Sequence, residues 1–144
     1  MHPAAPVSEG RLHHVGFVVA DIQSSIAGFV RSLGATWTGE IFDDPNQRVR
    51  VTFLSTSPES PQIELVEPVG ANSPVERFRR ESGGGLHHLC FEVDRIEEQL
   101  KLMRTRSAMI VSRPKPAVAF NGRRIAWVYT AEKLLVEYLE RAEL

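Results

Sequence analysis

The octapeptide Leu12-His13-His14-Val15-Gly16-Phe17-Val18-Val19 returns in the second half of the chain as Leu86-His87-His88-Leu89-Cys90-Phe91-Glu92-Val93. His14 and His88 stand 74 positions apart, and that offset persists well beyond the histidines. Ile22 answers Ile96, Ile26 answers Leu100, and Phe29 answers Met103. Farther on, Arg50-Val51-Thr52-Phe53 answers Arg124-Ile125-Ala126-Trp127, and Ile63-Glu64-Leu65-Val66-Glu67 answers Val136-Glu137-Tyr138-Leu139-Glu140 at an offset of 73. Two copies of so long a unit in 144 residues make a duplicated half-domain. A solenoid needs three or more units to bury its core. Whatever one half folds into, the other must also adopt.

Local patterning gives the plan of each half. Residues 12–19 are β-branched and aromatic and end at Asp21, so they predict a strand, with Asp21 as the N-cap of a following helix. Ile22, Ile26, Phe29, Val30 and Leu33 draw one apolar stripe at helical spacing, and Gly34 stops it. Extended segments follow at 36–42, 47–54 and 61–67, separated by Asp43-Asp44-Pro45-Asn46 and Ser57-Pro58-Glu59-Ser60-Pro61. Ser73-Pro74-Val75-Glu76 predicts a short connecting helix with Ser73 as cap, ended by the Gly83-Gly84-Gly85 linker. The second half predicts a strand at 86–93, a helix from Arg95 to Arg106, and a short strand at 109–111. A loop from Pro114 to Ala119 and strands at 123–129 and 134–140 complete it. The expected fold is α+β: two tandem βαβββ repeats (about 12–70 and 86–140) forming curved mixed sheets, with helices outside. Residues 1–11 are expected to be a flexible lead-in, where a terminal histidine such as His2 is ordinarily solvated, and 12–144 a single domain.

Bulk properties narrow the functional classes. Hydrophobic content of 42% and charged content of 24% are globular values, and a net charge of −1 gives no reason to expect nucleic acid or an anionic membrane. One cysteine, Cys90, permits no internal disulfide and suits a reducing compartment. No apolar run approaches the roughly 20 residues of a spanning helix, and Met1 to Arg11 lacks the apolar region of a signal peptide. The expectation is a soluble, cytoplasmic protein.

Strand alternation separates the two histidines of each doublet. His13 shares a face with Val15, Phe17 and Val19, a bulky apolar face suited to packing on a helix; His14 shares the other with Gly16 and Val18. His87 goes with Leu89, Phe91 and Val93, and His88 with Cys90 and Glu92. The second histidine of each pair thus stands beside a small residue, where a ligand has room. Glu64 and Glu137 likewise point away from Ile63 and Leu65, and from Val136 and Tyr138. A lone strand histidine is ordinarily structural and a lone glutamate solvated. Four such residues at duplicated positions make a charge-matched set for one divalent transition ion, whether cobalt, zinc, manganese or nickel. A central cleft holding that ion is the expected site.

The His14-Val15-Gly16-Phe17 strand, the segment Gly85-Leu86-His87-His88-Leu89-Cys90-Phe91-Glu92-Val93-Asp94, and the segments Glu64-Leu65-Val66-Glu67-Pro68 and Asn121-Gly122-Arg123-Arg124-Ile125-Ala126 resemble the vicinal oxygen chelate (glyoxalase/bleomycin resistance) superfamily. Within it the likeness is nearest to the methylmalonyl-CoA epimerase family, and it runs from Leu12 to Glu140. The resemblance implies metal ligands at His14, Glu64 (glutamine in some epimerases), His88 and Glu137, and a homodimer. It implies an isomerase that epimerises a 2-substituted acyl-CoA such as methylmalonyl-CoA through a metal-stabilised enolate, with Glu137 as one acid/base. The chain departs from that family at Val51, where some epimerases carry a glutamate. Glu64 is then the candidate second base, an arrangement similar to that of lactoylglutathione lyases. A second departure is the short loop 129–133, which leaves the substrate open. Gln47 is a candidate for the substrate carbonyl. Arg123, with Lys115 and Arg124, is a candidate for the phosphates of an acyl-CoA. Cys90 is expected to be a small filler. Alternatives are a lactoylglutathione lyase-type isomerase and a metal-free drug-binding module of the same fold.

Overall fold

Both halves run β-α-β-β-β, as the repeat requires. The first contains β1 (Arg11–Val18), α1 (Ile22–Leu33), β2 (Thr36–Asp44), β3 (Val49–Ser55) and β4 (Gln62–Pro68). After the connecting helix α2 (Glu76–Ser82), the second contains β5 (Gly85–Val93), α3 (Ile96–Thr105), β6 (Met109–Pro116), β7 (Arg124–Tyr129) and β8 (Leu135–Glu140). A single 3-10 turn, Val118–Phe120, precedes β7. The computed structural model describes residues 10–142, so most of the expected lead-in, His2 included, lies outside the described residues. Contacts divide the described residues into two units: His14–His87, and residues 10–13 together with 88–142. The division falls inside each histidine doublet.

In the unit His14–His87 the strand order is β2-β3-β4-β1. β1 runs parallel to β4 with Gly16 beside Glu64, while the other neighbours are antiparallel. Asp21 caps α1 by accepting the Ser24 N–H at 2.8 Å, and Glu67 Oε1 on β4 takes the Ile22 N–H at 2.8 Å. Two orphan donors of the first turn are thereby satisfied. The apolar stripe of α1 packs against Phe17, Leu54, Ile63 and Leu65, one face of this sheet. His14 and Glu64 are left on the opposite face.

The other unit has the order β5-β8-β7-β6, with β5 parallel to β8 and Cys90 beside Glu137. Helix α3 packs through Ile96, Leu100 and Met103 on Phe91, Val93, Val136 and Tyr138. The opposite face carries a smaller cluster of Cys90, Ala117, Ile125 and Leu139. Cys90 is fully buried there.

The mixed α+β architecture agrees with expectation, while element boundaries shift, two of them for a clear physical reason. β6 continues through Pro114 to Pro116, although the prolines suggested a loop. It is the last strand of its sheet, and its pairing with β7 shifts register twice, which lets prolines sit without breaking a ladder on both sides. Helix α2 begins at Glu76, not Pro74, and Ser73 is not its cap. The Ser73 carbonyl instead accepts the Glu76 N–H at 3.1 Å, closing a turn ahead of the helix.

Candidate functional site

In the unit His14–His87, β1 and β4 bring His14 and Glu64 together. Both are buried, and His14 Nε2 lies 3.3 Å from Glu64 Oε1. Gly16, the β1 neighbour of Glu64, has no side chain to obstruct the carboxylate. On the other side Phe53 pairs with Glu64 across β3 and β4, and its ring meets His14 edge-on at 5.7 Å. The imidazole is therefore held between a carboxylate and an aromatic ring.

The second unit repeats this arrangement residue for residue. His88 and Glu137 are buried, with Nε2 3.4 Å from Oε1. Cys90 takes the place of Gly16, and Trp127 the place of Phe53, its ring 4.7 Å from that of His88. Phe53 and Trp127 are themselves one repeat apart, a role sequence reasoning did not assign although their offset was visible. The first histidines of the doublets meet other rings: His13 meets Phe120 edge-on at 5.5 Å and His87 meets Phe78 at 4.9 Å.

Each pair suits one edge of a metal coordination sphere. Nitrogen and oxygen ligands about 2.0–2.2 Å from a common divalent ion stand roughly 3–3.4 Å apart. The two observed separations, 3.3 and 3.4 Å, lie in that range. A carboxylate buried in apolar strands is costly without a positive partner, and a cation held with the imidazole supplies one. Each half thus offers one imidazole nitrogen and one carboxylate oxygen.

The remaining candidates have surroundings of their own. Gln47, in the turn between β2 and β3, donates Nε2 to Asp44 Oδ2 at 2.8 Å, and its backbone N–H reaches Asp44 Oδ1 at 3.1 Å. That buried aspartate fixes the orientation of the amide. Val51 is buried on the Glu64 face of its sheet, paired with Phe42 and Val66. Arg124 is committed to the helix face, bonded to Glu97 on α3 and to Glu140. Arg123 donates Nε to the Glu140 carbonyl at 2.9 Å and Nη2 to Glu92. Lys115 is exposed on β6.

Known proteins place this arrangement in context. The family model described as glyoxalase/bleomycin resistance protein/dioxygenase superfamily matches residues 13–127. An ethylmalonyl-CoA/methylmalonyl-CoA epimerase of Cereibacter sphaeroides is 31% identical, covering 83% of this chain and 88% of that one. The mitochondrial methylmalonyl-CoA epimerase of Bos taurus is 32% identical, covering 98% and 81%. Among solved structures, a hypothetical protein of Bacillus halodurans superposes with a TM-score of 0.82 at 29% identity, covering 94% of this chain and 97% of its own. The methylmalonyl-CoA epimerase of Mycobacterium tuberculosis, at 24% identity, shares the fold with a TM-score of 0.83 over 99% and 94% of the two chains.

Proposed function

The chain belongs to the glyoxalase/bleomycin resistance protein/dioxygenase superfamily, and from that premise we propose that it is an isomerase. Its reaction would be epimerisation of a 2-substituted malonyl-CoA, methylmalonyl-CoA being the first choice. The observation that carries this reading is the duplicated, buried His–Glu pair, one in each unit. Relatives named for epimerisation of ethylmalonyl- and methylmalonyl-CoA support the substrate class.

His14, Glu64, His88 and Glu137 would together hold one divalent transition ion in a cleft. When bound, such an ion lowers the energy of an enolate by drawing charge onto oxygens of the substrate. Glu137 takes the α-proton from one face, acting as general base. Glu64, its equivalent in the other repeat, protonated from solvent in this direction, delivers its proton to the opposite face and so inverts the centre, and Glu137 then releases the abstracted proton to solvent. Phe53 and Trp127 keep the imidazoles in place and water away from them. Gln47, its amide already oriented by Asp44, would contact the substrate carbonyl. Val51 cannot move a proton, so the second base falls to Glu64. A homodimer and a cytoplasmic location complete the proposal; among the described residues no helix is long and apolar enough to cross a membrane.

The test is incubation of the purified protein with (2R)- or (2S)-methylmalonyl-CoA in heavy water. Deuterium entry at C2 together with inversion is expected. Absence of both, with the metal-loaded protein, would refute the reading. A second reading, isomerisation of the methylglyoxal–glutathione adduct, is favoured by having a glutamate in both repeats and valine at position 51. Turnover of that adduct without exchange on methylmalonyl-CoA would select it.

A further inference from the structure

We propose that Arg11 and Arg123, bridged by Glu92, form an anion-binding fork that takes a phosphate of the coenzyme A moiety. This rests on the acyl-CoA reading above and adds to it a site for the nucleotide end of the substrate. Glu92 lies on β5 two residues beyond Cys90 and four beyond His88, so it shares their face. Strand geometry puts it roughly 13 Å along that face from His88. Arg11 donates Nη2 and Nε to Glu92 Oε1 at 3.2 and 3.4 Å, while Arg123 donates Nη2 to Glu92 Oε2. Arg123 precedes β7 at the alternate position from Ile125, which lines the same face beside Cys90.

Charge accounting points to a ligand. Within this cluster two guanidinium groups share one carboxylate, a local excess of one positive charge roughly 13 Å along the strand from His88. The neighbouring Arg124–Glu97–Glu140 network has the opposite surplus, but it lies on the α3 face, across the backbone. Burial pushes the Glu92 carboxyl up, yet the bonds from Arg123 and Arg11 outweigh it and keep the pKa below its ordinary value. Glu92 therefore stays ionised and positions both arginines. The bonds to Glu92 and the Glu140 carbonyl do not use Nη1 of either arginine. The side chain of Arg11 is 60% exposed, open to an incoming group. Planar guanidinium groups held in register are well suited to phosphate oxygens.

The experiment compares free coenzyme A binding by calorimetry, and turnover of methylmalonyl-CoA against methylmalonyl-pantetheine, which lacks the nucleotide phosphates. Arg11→Gln is expected to weaken coenzyme A binding about tenfold, the loss of one charge-assisted contact. It is expected to reduce the preference for the full thioester over the truncated one by a similar factor. Arg123→Gln should do the same, and Arg77→Gln, in an exposed ion pair on α2, should leave both readouts unchanged. Unaltered coenzyme A affinity in Arg11→Gln, or an equal loss on both thioesters, would overturn the fork. If the wild-type protein binds coenzyme A through Arg11 but turns over neither thioester, the fork stands and the epimerase reading fails.

Discussion

At the scale of single residues, alternation along two strands decides which histidine of each doublet faces Glu64 or Glu137. That logic was legible in the sequence, because Gly16 and Cys90 mark the open side of each strand. What the sequence did not reveal is how the imidazoles are fixed. Phe53 and Trp127 sit on separate strands, and only register across β3 with β4, and β7 with β8, places them beside His14 and His88. Arg11 was also missed, since nothing local in the sequence links it to Glu92, 81 positions away. Glu137→Gln keeps the shape of the side chain but removes its basicity. It is expected to lower deuterium uptake into methylmalonyl-CoA by at least a hundredfold, read by mass spectrometry. Val51→Glu should raise that rate less than twofold if, as proposed, Glu64 is the second base; a large gain would move the second base to position 51.

At the scale of elements, the two repeats preserve their supports as well as their candidate ligands. Arg50 contacts Glu67 in one unit as Arg124 contacts Glu140 in the other. The strands and helices that periodicity could define, β1, α1, β5 and α3, were readable from sequence. The edge strand β6 was not, because prolines at positions 114 and 116 are compatible with either a loop or an unpaired edge. The Gly83-Gly84-Gly85 linker has a physical demand that sequence alone could not reveal. Gly84 has φ +95°, and a Cβ there would stand 2.6 Å from the Val18 carbonyl oxygen. Gly84→Ala should therefore cost about 2 kcal/mol or more in chemical denaturation. The Arg11–Glu92–Arg123 cluster makes a pH-dependent contribution. A carboxyl whose pKa is lowered by folding stabilises the native state above its unfolded value, near 4.5, and loses that contribution as pH falls through the folded value. The melting-temperature difference between wild type and Glu92→Gln should shrink as pH falls from 6 to 3, whereas a constant difference would contradict it.

At the scale of the whole molecule, duplication is the organising fact. One gene segment written twice yields two units that each carry a nitrogen and an oxygen donor at matching register. A charged pair of this kind within one unit could be a private structural bridge. The proposed shared metal centre would draw on both copies, whereas two private pairs would not depend on one another. The direct measurement is the divalent metal content of the purified, metal-loaded protein, determined by elemental analysis alongside that of His14→Ala and His88→Ala. One ion per chain is expected in the wild type, with both variants retaining less than a tenth of it at equal free metal. Two ions per chain, or a variant that keeps its ion when either histidine is gone, would contradict a common centre.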